Sequence, residues 1–202
     1  MIRDFETILQ YAKKLGPKTL AVAAAEDDDV LKAVEYARLE GIINAILIGD
    51  KERIEAMLKE NCIAPEEYVI LDEKSKEEAC GKAVHLVKAG RASTIMKGFV
   101  DTSIILKAVL KKETGLFVDG LLSHVGVLKV DRYDKFFIIS DSAMNISPTL
   151  ENKADIIKNA VKVAHALEIE IPKVAMICPV EKVNDKIIST VHAAELVKMN
   201  EE

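Results

Sequence analysis

Between residues 19 and 111 short apolar runs alternate with amphipathic segments of helical period, and nothing else in the chain constrains its fold so strongly. Residues 19–25 are small and β-branched apolar residues, as expected of a strand covered on both faces. Residues 28–39 read as a helix with Val30, Ala33, Val34 and Ala37 inward. The pattern continues with strands over 45–48, 69–71 and 94–96. Helices are expected over 51–59, 76–88 and 104–111, the last opening near Thr102. Ahead of them, Phe5, Ile8, Leu9 and Ala12 share one helical face, and Gly16-Pro17 closes that helix. Such alternation implies parallel β-α-β units with right-handed crossovers.

The rhythm changes after Gly115. Residues 121–130 and 135–140 flank the polar turn 131–134 and read as a β-hairpin. A helix over 150–167, a strand over 174–178 and a helix over 186–197 follow. The expected fold class is α/β, with an N-terminal α/β domain over 1–115 and a second α/β domain over 116–202. The second would have a thin sheet and stop directly after a helix, so it is expected to be incomplete, its remainder in another chain or lost by truncation. Ligands of such folds sit at the C-terminal ends of strands and often between domains. The loops that meet this rule are 24–28, 97–103, 140–147 and 179–184.

A 202-residue chain that is 50% hydrophobic and 30% charged can bury a core. A net charge of −5, 4% aromatic residues and no Trp argue against a nucleic-acid partner, which would require a basic face and stacking surfaces. Cys62, Cys80 and Cys178 lie far apart without metal-ligand spacing, so reduced thiols and no metal site are expected. The N-terminus carries charges where a signal peptide has an apolar core, and no run reaches membrane-spanning length. A cytoplasmic protein without a membrane partner is the expectation.

Residues 93–107 carry the clearest chemistry. Gly98 is expected to let backbone N–H groups approach a ligand, while Thr102 and Ser103 stand at a helix start, where unpaired donors and the helix dipole favour an anion. Lys97 and Lys107 add positive charge on either side. The same residues also serve as ordinary N-caps, and Gly98 as a turn residue. Neither nucleotide-binding glycine fingerprint occurs in the chain. In the second half, His124 offers an acid–base group or phosphate ligand, or a hydrogen-bonded structural residue. Ser123 has no triad order around it. Asp141 and Asn145 fit either a ligand-facing loop or an Asx turn. His85, His165 and His192 fall within expected helices, and the acidic run 26–29 is accounted for by the helix dipole.

Met-Lys-Gly-Phe-Val-Asp-Thr-Ser (96–103), Leu-Leu-Ser-His-Val (121–125), Ser-Asp-Ser-Ala-Met-Asn-Ile-Ser-Pro (140–148), Glu-Lys-Val-Asn (181–184) and residues 190–200 occur in an order that resembles the phosphate acetyl/butyryltransferase family, on its butyryl-transferring side. The resemblance implies two α/β domains with a cleft between them, related to the isocitrate/isopropylmalate dehydrogenase fold, and a homo-oligomer. It implies transfer of a butyryl or branched short-chain acyl group between coenzyme A and inorganic phosphate. The coenzyme A thioester is then a substrate, and no tightly bound cofactor is expected. Lys97, Gly98, Thr102, Ser103, Ser123, Asp141 and Asn145 become phosphate- and substrate-binding residues, with His124 and Lys107 as candidate catalytic groups. Lys107 stands where acetyl-transferring members carry Arg, and a lysine lacks the bidentate fork. Family members continue for a further portion that holds a Ser-Arg pair and an Asp with the main catalytic role. The alternatives are a non-catalytic anion- or CoA-binding remnant, or a relative of the same fold such as a fatty acyl-phosphate synthase or a dehydrogenase.

Overall fold

A computed structural model of the chain describes residues 2–116 and 120–201. They divide into two compact units, one formed by Leu9–Val118 and the other by Met1–Ile8 with Asp119–Glu202. The first helix, α1 (Phe5–Leu15), contributes to both.

The first unit is built on a four-stranded parallel sheet. Its strands are β1 (Lys18–Ala23), β2 (Ile43–Gly49), β3 (Val69–Asp72) and β4 (Thr94–Lys97), in the spatial order β3-β2-β1-β4. The connecting helices are α2 (Asp28–Leu39), α3 (Lys51–Glu60) and α4 (Lys76–Lys88), and α5 (Thr102–Val109) follows β4. The apolar runs read as strands because the sheet is covered on both faces. Ala21 and Ala23 join Ile46 and Ile48 in one buried cluster, while Leu20 and Val22 join Ala45 and Leu47 in the other. That is the period of two turned into two cores. Each fully buried Leu or Ile, such as Leu31, Leu47, Ile48, Ile54 and Leu58, contributes roughly 1.5–3 kcal/mol by burial.

In α2 the inward face differs by one position from the reading of the sequence. Leu31 and Val34 are buried, Val30 packs against the same cluster and Ala33 is exposed, because turning Leu31 inward removes more apolar surface from water than turning Ala33 inward would.

The second unit holds the hairpin, β5 (Gly126–Lys129) and β6 (Phe136–Ile139), paired antiparallel with Gly126 opposite Ile139. Two helices follow, α6 (Leu150–Ala166) and α7 (Ile188–Glu201). Its small core gathers Ile2, Phe136 and Leu167, with Ile8 and Val163 packed against them, and the rings of Phe5 and Phe136 meet at 5.0 Å between centroids.

Three sequence expectations change here. Residues 121–125 are not strand, because their polar groups bond to 140–145 and α6 instead of to a ladder. Residues 174–178 form no strand either, and Ile177 is 90% exposed. An apolar run becomes a strand only where another backbone takes its hydrogen bonds, and among the described residues β5 and β6 pair only with each other. The last helix begins at Ile188, later than residue 186, because Asn184, Ile187 and Thr190 close a turn ahead of it.

Candidate functional site

Chain order and strand order together mark out a candidate site in the first unit. From β1 the chain winds outward through β2 and β3, then crosses to place β4 on the other side of β1. Loops leaving β1 and β4 therefore emerge side by side at the C-terminal edge of the sheet, the edge at which open parallel sheets take ligands. The two loops are 24–27 and 98–101, both within the segments singled out from sequence.

Their contact is tight. The Gly98 amide donates to the Ala23 carbonyl at 2.8 Å, and the Phe99 amide donates to the Ala24 carbonyl at 2.7 Å. A Cβ on Gly98 would stand 2.0 Å from the Ala24 carbonyl oxygen. Gly98 is thus required by the approach of two backbone segments, and its amide is used inside the protein. Lys97 stabilises the same turn, its Nζ donating to the carbonyls of Gly98 (3.2 Å) and Val100 (2.9 Å). Phe99 projects outward, 54% exposed, with the Lys76 ammonium 4.2 Å from its ring centroid.

The donors at the start of α5 lie one step further on. At α2, α3, α4 and α6 a side chain at the N-cap accepts an amide of the first turn: Asp27, Asp50, Ser75 and Thr149 respectively. At α5 the N-cap residue, Asp101, makes no such bond. The amides and hydroxyls of Thr102 and Ser103 begin this helix, and both residues are exposed. Lys107 is also exposed and lies one helical turn beyond Ser103, on the same face. Among the described residues, the start of α5 thus combines amides without a capping side chain, the positive end of the helix dipole and a cation one turn on.

Glu26 acts in a way the sequence did not reveal. It is not simply part of an acidic run at a helix start. Its Oε1 accepts the Asp50 amide at 2.6 Å, at the entry to α3, and its Oε2 is buried with no hydrogen-bond partner among the described residues.

In the second unit a polar cluster occupies the end of the hairpin at which β5 begins and β6 ends. Asp141 is its anchor. One carboxylate oxygen accepts the amides of His124 (3.3 Å), Ala143 (3.3 Å) and Met144 (3.1 Å), and the other accepts the Asn145 side-chain amide. Burial alone would raise the Asp141 pKa, but the bonds from Asn145, Met144, Ala143 and His124 outweigh it and hold the carboxyl below its ordinary range. Asn145 also donates to the Leu122 carbonyl at 3.0 Å. Asn159, on α6, donates to both the Leu121 carbonyl and Ser123 Oγ at 2.9 Å. Ser140 Oγ donates to the His124 carbonyl at 2.7 Å, and Ser142 Oγ lies 3.0 Å from His124 Nδ1.

Ser123, His124, Asp141 and Asn145 are therefore brought together, and Lys97, Gly98, Thr102 and Ser103 form a separate group in the other unit. Ser140, Ser142 and Asn159 were not singled out from sequence. For Asn159 the available signal was an amide within the apolar face of a helix. His85, His165 and His192 lie in α4, α6 and α7, and Lys153 Nζ is 3.1 Å from His192 Nδ1. No helix among the described residues is long and apolar enough to cross a membrane.

The model of the family described as phosphate acetyl/butaryl transferase matches residues 4–82 and 73–202, so its matches include every residue of both clusters. The chain belongs to this family. It is 43% identical over 201 residues to a phosphate butyryltransferase of Clostridium beijerinckii and 42% identical over 201 residues to that of Clostridium acetobutylicum. Each match covers 100% of this chain and 67% of the relative. Among solved structures, a branched-chain phosphotransacylase from Enterococcus faecalis V583 superposes with a TM-score of 0.74 at 27% identity, covering 90% of this chain and 63% of that one. This family member thus spans about two thirds of the length of these three relatives.

Proposed function

We propose that the protein transfers a butyryl or branched short-chain acyl group between coenzyme A and inorganic phosphate. A match to the acyltransferase family that runs from residue 4 to residue 202 through both polar clusters carries this reading. In the reaction a phosphate oxygen adds to the thioester carbonyl, the C–S bond breaks, and acyl phosphate and coenzyme A thiolate separate. No enzyme nucleophile is consumed. The protein's part is to hold two anionic reactants together and to stabilise the charge that develops on oxygen and sulfur.

The start of α5 suits the phosphate, with Thr102 and Ser103 supplying donors and Lys107 a nearby cation. Lys97 and Gly98 shape the turn that delivers this helix start. Ser123, His124, Asp141 and Asn145 form the second polar surface of the reading. The coenzyme A thioester is a substrate, and the reading includes no tightly bound cofactor. A cytoplasmic homo-oligomer with two α/β domains of the isocitrate/isopropylmalate dehydrogenase type belongs to the same proposal.

Release of coenzyme A thiol tests it. With butyryl-CoA the rate is expected to rise with phosphate and saturate, and kcat/KM for butyryl-CoA is expected to exceed that for acetyl-CoA. Release that is independent of phosphate would contradict acyl transfer. A preference for acetyl-CoA would reject the butyryl assignment.

A further inference from the structure

The hydrogen-bond pattern around His124 defines how its ring is held. The residue is exposed, but its main chain is fixed at both ends: the amide donates to Asp141 and the carbonyl accepts from Ser140 Oγ. The ring is placed by two further contacts. Nδ1 lies 3.0 Å from Ser142 Oγ. The Cε1 edge lies beside Gly126, where a Cβ would stand 3.6 Å away. Residues 18 positions apart in sequence thus grip one imidazole from its Nδ1 side.

A serine hydroxyl can donate one hydrogen, and a neutral imidazole accepts at one nitrogen only. Among the described residues, His124 Nδ1 is the only side-chain partner of Ser142 Oγ. The neighbouring carboxylate of Asp141 is occupied by three amides and the Asn145 side chain. The 3.0 Å contact itself has no direction; with the serine hydroxyl as its donor, the imidazole proton would sit on Nε2, the nitrogen on the far side of the ring.

We infer that Ser142 is a positioning residue that holds His124 as the Nε2–H tautomer, presenting that N–H as a hydrogen-bond donor to an anionic substrate oxygen. This rests on the acyltransferase reading for the identity of the anion, phosphate, but not for the tautomer itself. A donor fixed before the reactants arrive costs little reorganisation when charge develops on oxygen. Asp141, whose carboxylate is bonded to the amides of this loop and of His124, supports the same arrangement.

The test is nitrogen-15 NMR of the histidine side chains in the 202-residue protein, in wild type, Ser142→Ala and Ser142→Thr. At a pH where His124 is neutral, wild type is expected to show a protonated Nε2 and a hydrogen-bonded, unprotonated Nδ1. In Ser142→Ala the Nδ1 resonance moves towards that of a solvated nitrogen, and the nuclear Overhauser contact between His124 Hε1 and Gly126 Hα is lost. Ser142→Thr, which keeps the hydroxyl, retains both. A protonated Nδ1 in wild type, or an Nδ1 resonance unmoved in Ser142→Ala, would overturn the positioning role. Inorganic phosphate is expected to shift the Nε2 resonance of wild type. An Nε2 resonance unmoved by phosphate would overturn the donor role. Phosphate-dependent thiol release is measured separately, so failure of the acyltransferase reading and failure of this inference are told apart.

Discussion

Gly98→Ala is expected to destabilise the parallel-sheet unit by about 3 kcal/mol or more, the range reached when a core is forced to accept volume it cannot hold. The new methyl carbon would lie 2.0 Å from the Ala24 carbonyl oxygen and 2.8 Å from that of Ala23. Both obstacles are backbone, so no side chain can swing aside. Relief requires β1 and β4 to separate at their C-terminal ends, which breaks the bonds from Gly98 to Ala23 and from Phe99 to Ala24. The same movement displaces the start of α5, so under the proposed function phosphate binding is expected to fall together with stability. Gly81→Ala is the matched control, because Gly81 is an exposed residue of α4 with nothing within 4 Å of an added Cβ. It is expected to be neutral or to stabilise by about 0.5–1 kcal/mol, through helix propensity and a less flexible unfolded chain. Urea unfolding followed by circular dichroism checks both. Equal midpoints for the two variants would show that the contact between the β1 and β4 loops is looser than described.

Asp141→Ala is expected to cost about 2 kcal/mol, the scale of losing hydrogen bonds to a charged acceptor in a partly exposed site. Its carboxylate gathers the His124, Ala143 and Met144 amides and the Asn145 side chain, so its removal releases two loops at once. Amide hydrogen exchange is expected to speed up at residues 124, 143 and 144, while β1 and β2 are unaffected. The pH dependence has a definite sign. A carboxyl whose folded pKa is depressed stabilises fully above its unfolded value and loses that contribution as pH falls through the folded one. The stability gap between wild type and Asp141→Ala should therefore be constant above about pH 5 and close only below the ordinary carboxyl value of 3.8. A gap that persists unchanged through that acid range would mean that Asp141 acts through packing and not through its charge.

Much of the first unit was legible because its signals are local. Runs such as Leu20–Val22 and Ala45–Ile48 are apolar on both faces, and only a sheet sandwiched between helices hides both. Asp27, Asp50 and Ser75 stand in sequence where their side chains cap helices in the structure. The second unit shows where local reading stops. Residues 174–178 have strand composition but no ladder to join, and residues 121–125 exchange strand pairing for bonds to side chains far along the chain.

The site divides in the same way. The sequence pointed to the turn at Lys97-Gly98 and to the group Ser123, His124, Asp141 and Asn145. It left Gly98 open between approach to a ligand and service in a turn, and could not show the packing of one loop on another, because the carbonyl it must pass belongs to residue 24. Glu26, Ser142 and Asn159 were invisible for a common reason. Each acts on a residue 18 to 38 positions away, and no pattern of neighbours encodes such a partner.

Acyl transfer to phosphate is observed most directly by phosphorus-31 NMR of the protein with butyryl-CoA and inorganic phosphate. Growth of a butyryl phosphate resonance at the expense of inorganic phosphate, matched by an equal quantity of free coenzyme A thiol, is the predicted result. Butyrate and thiol appearing while the phosphate resonance stays constant would make the reaction a hydrolysis and would contradict the assignment.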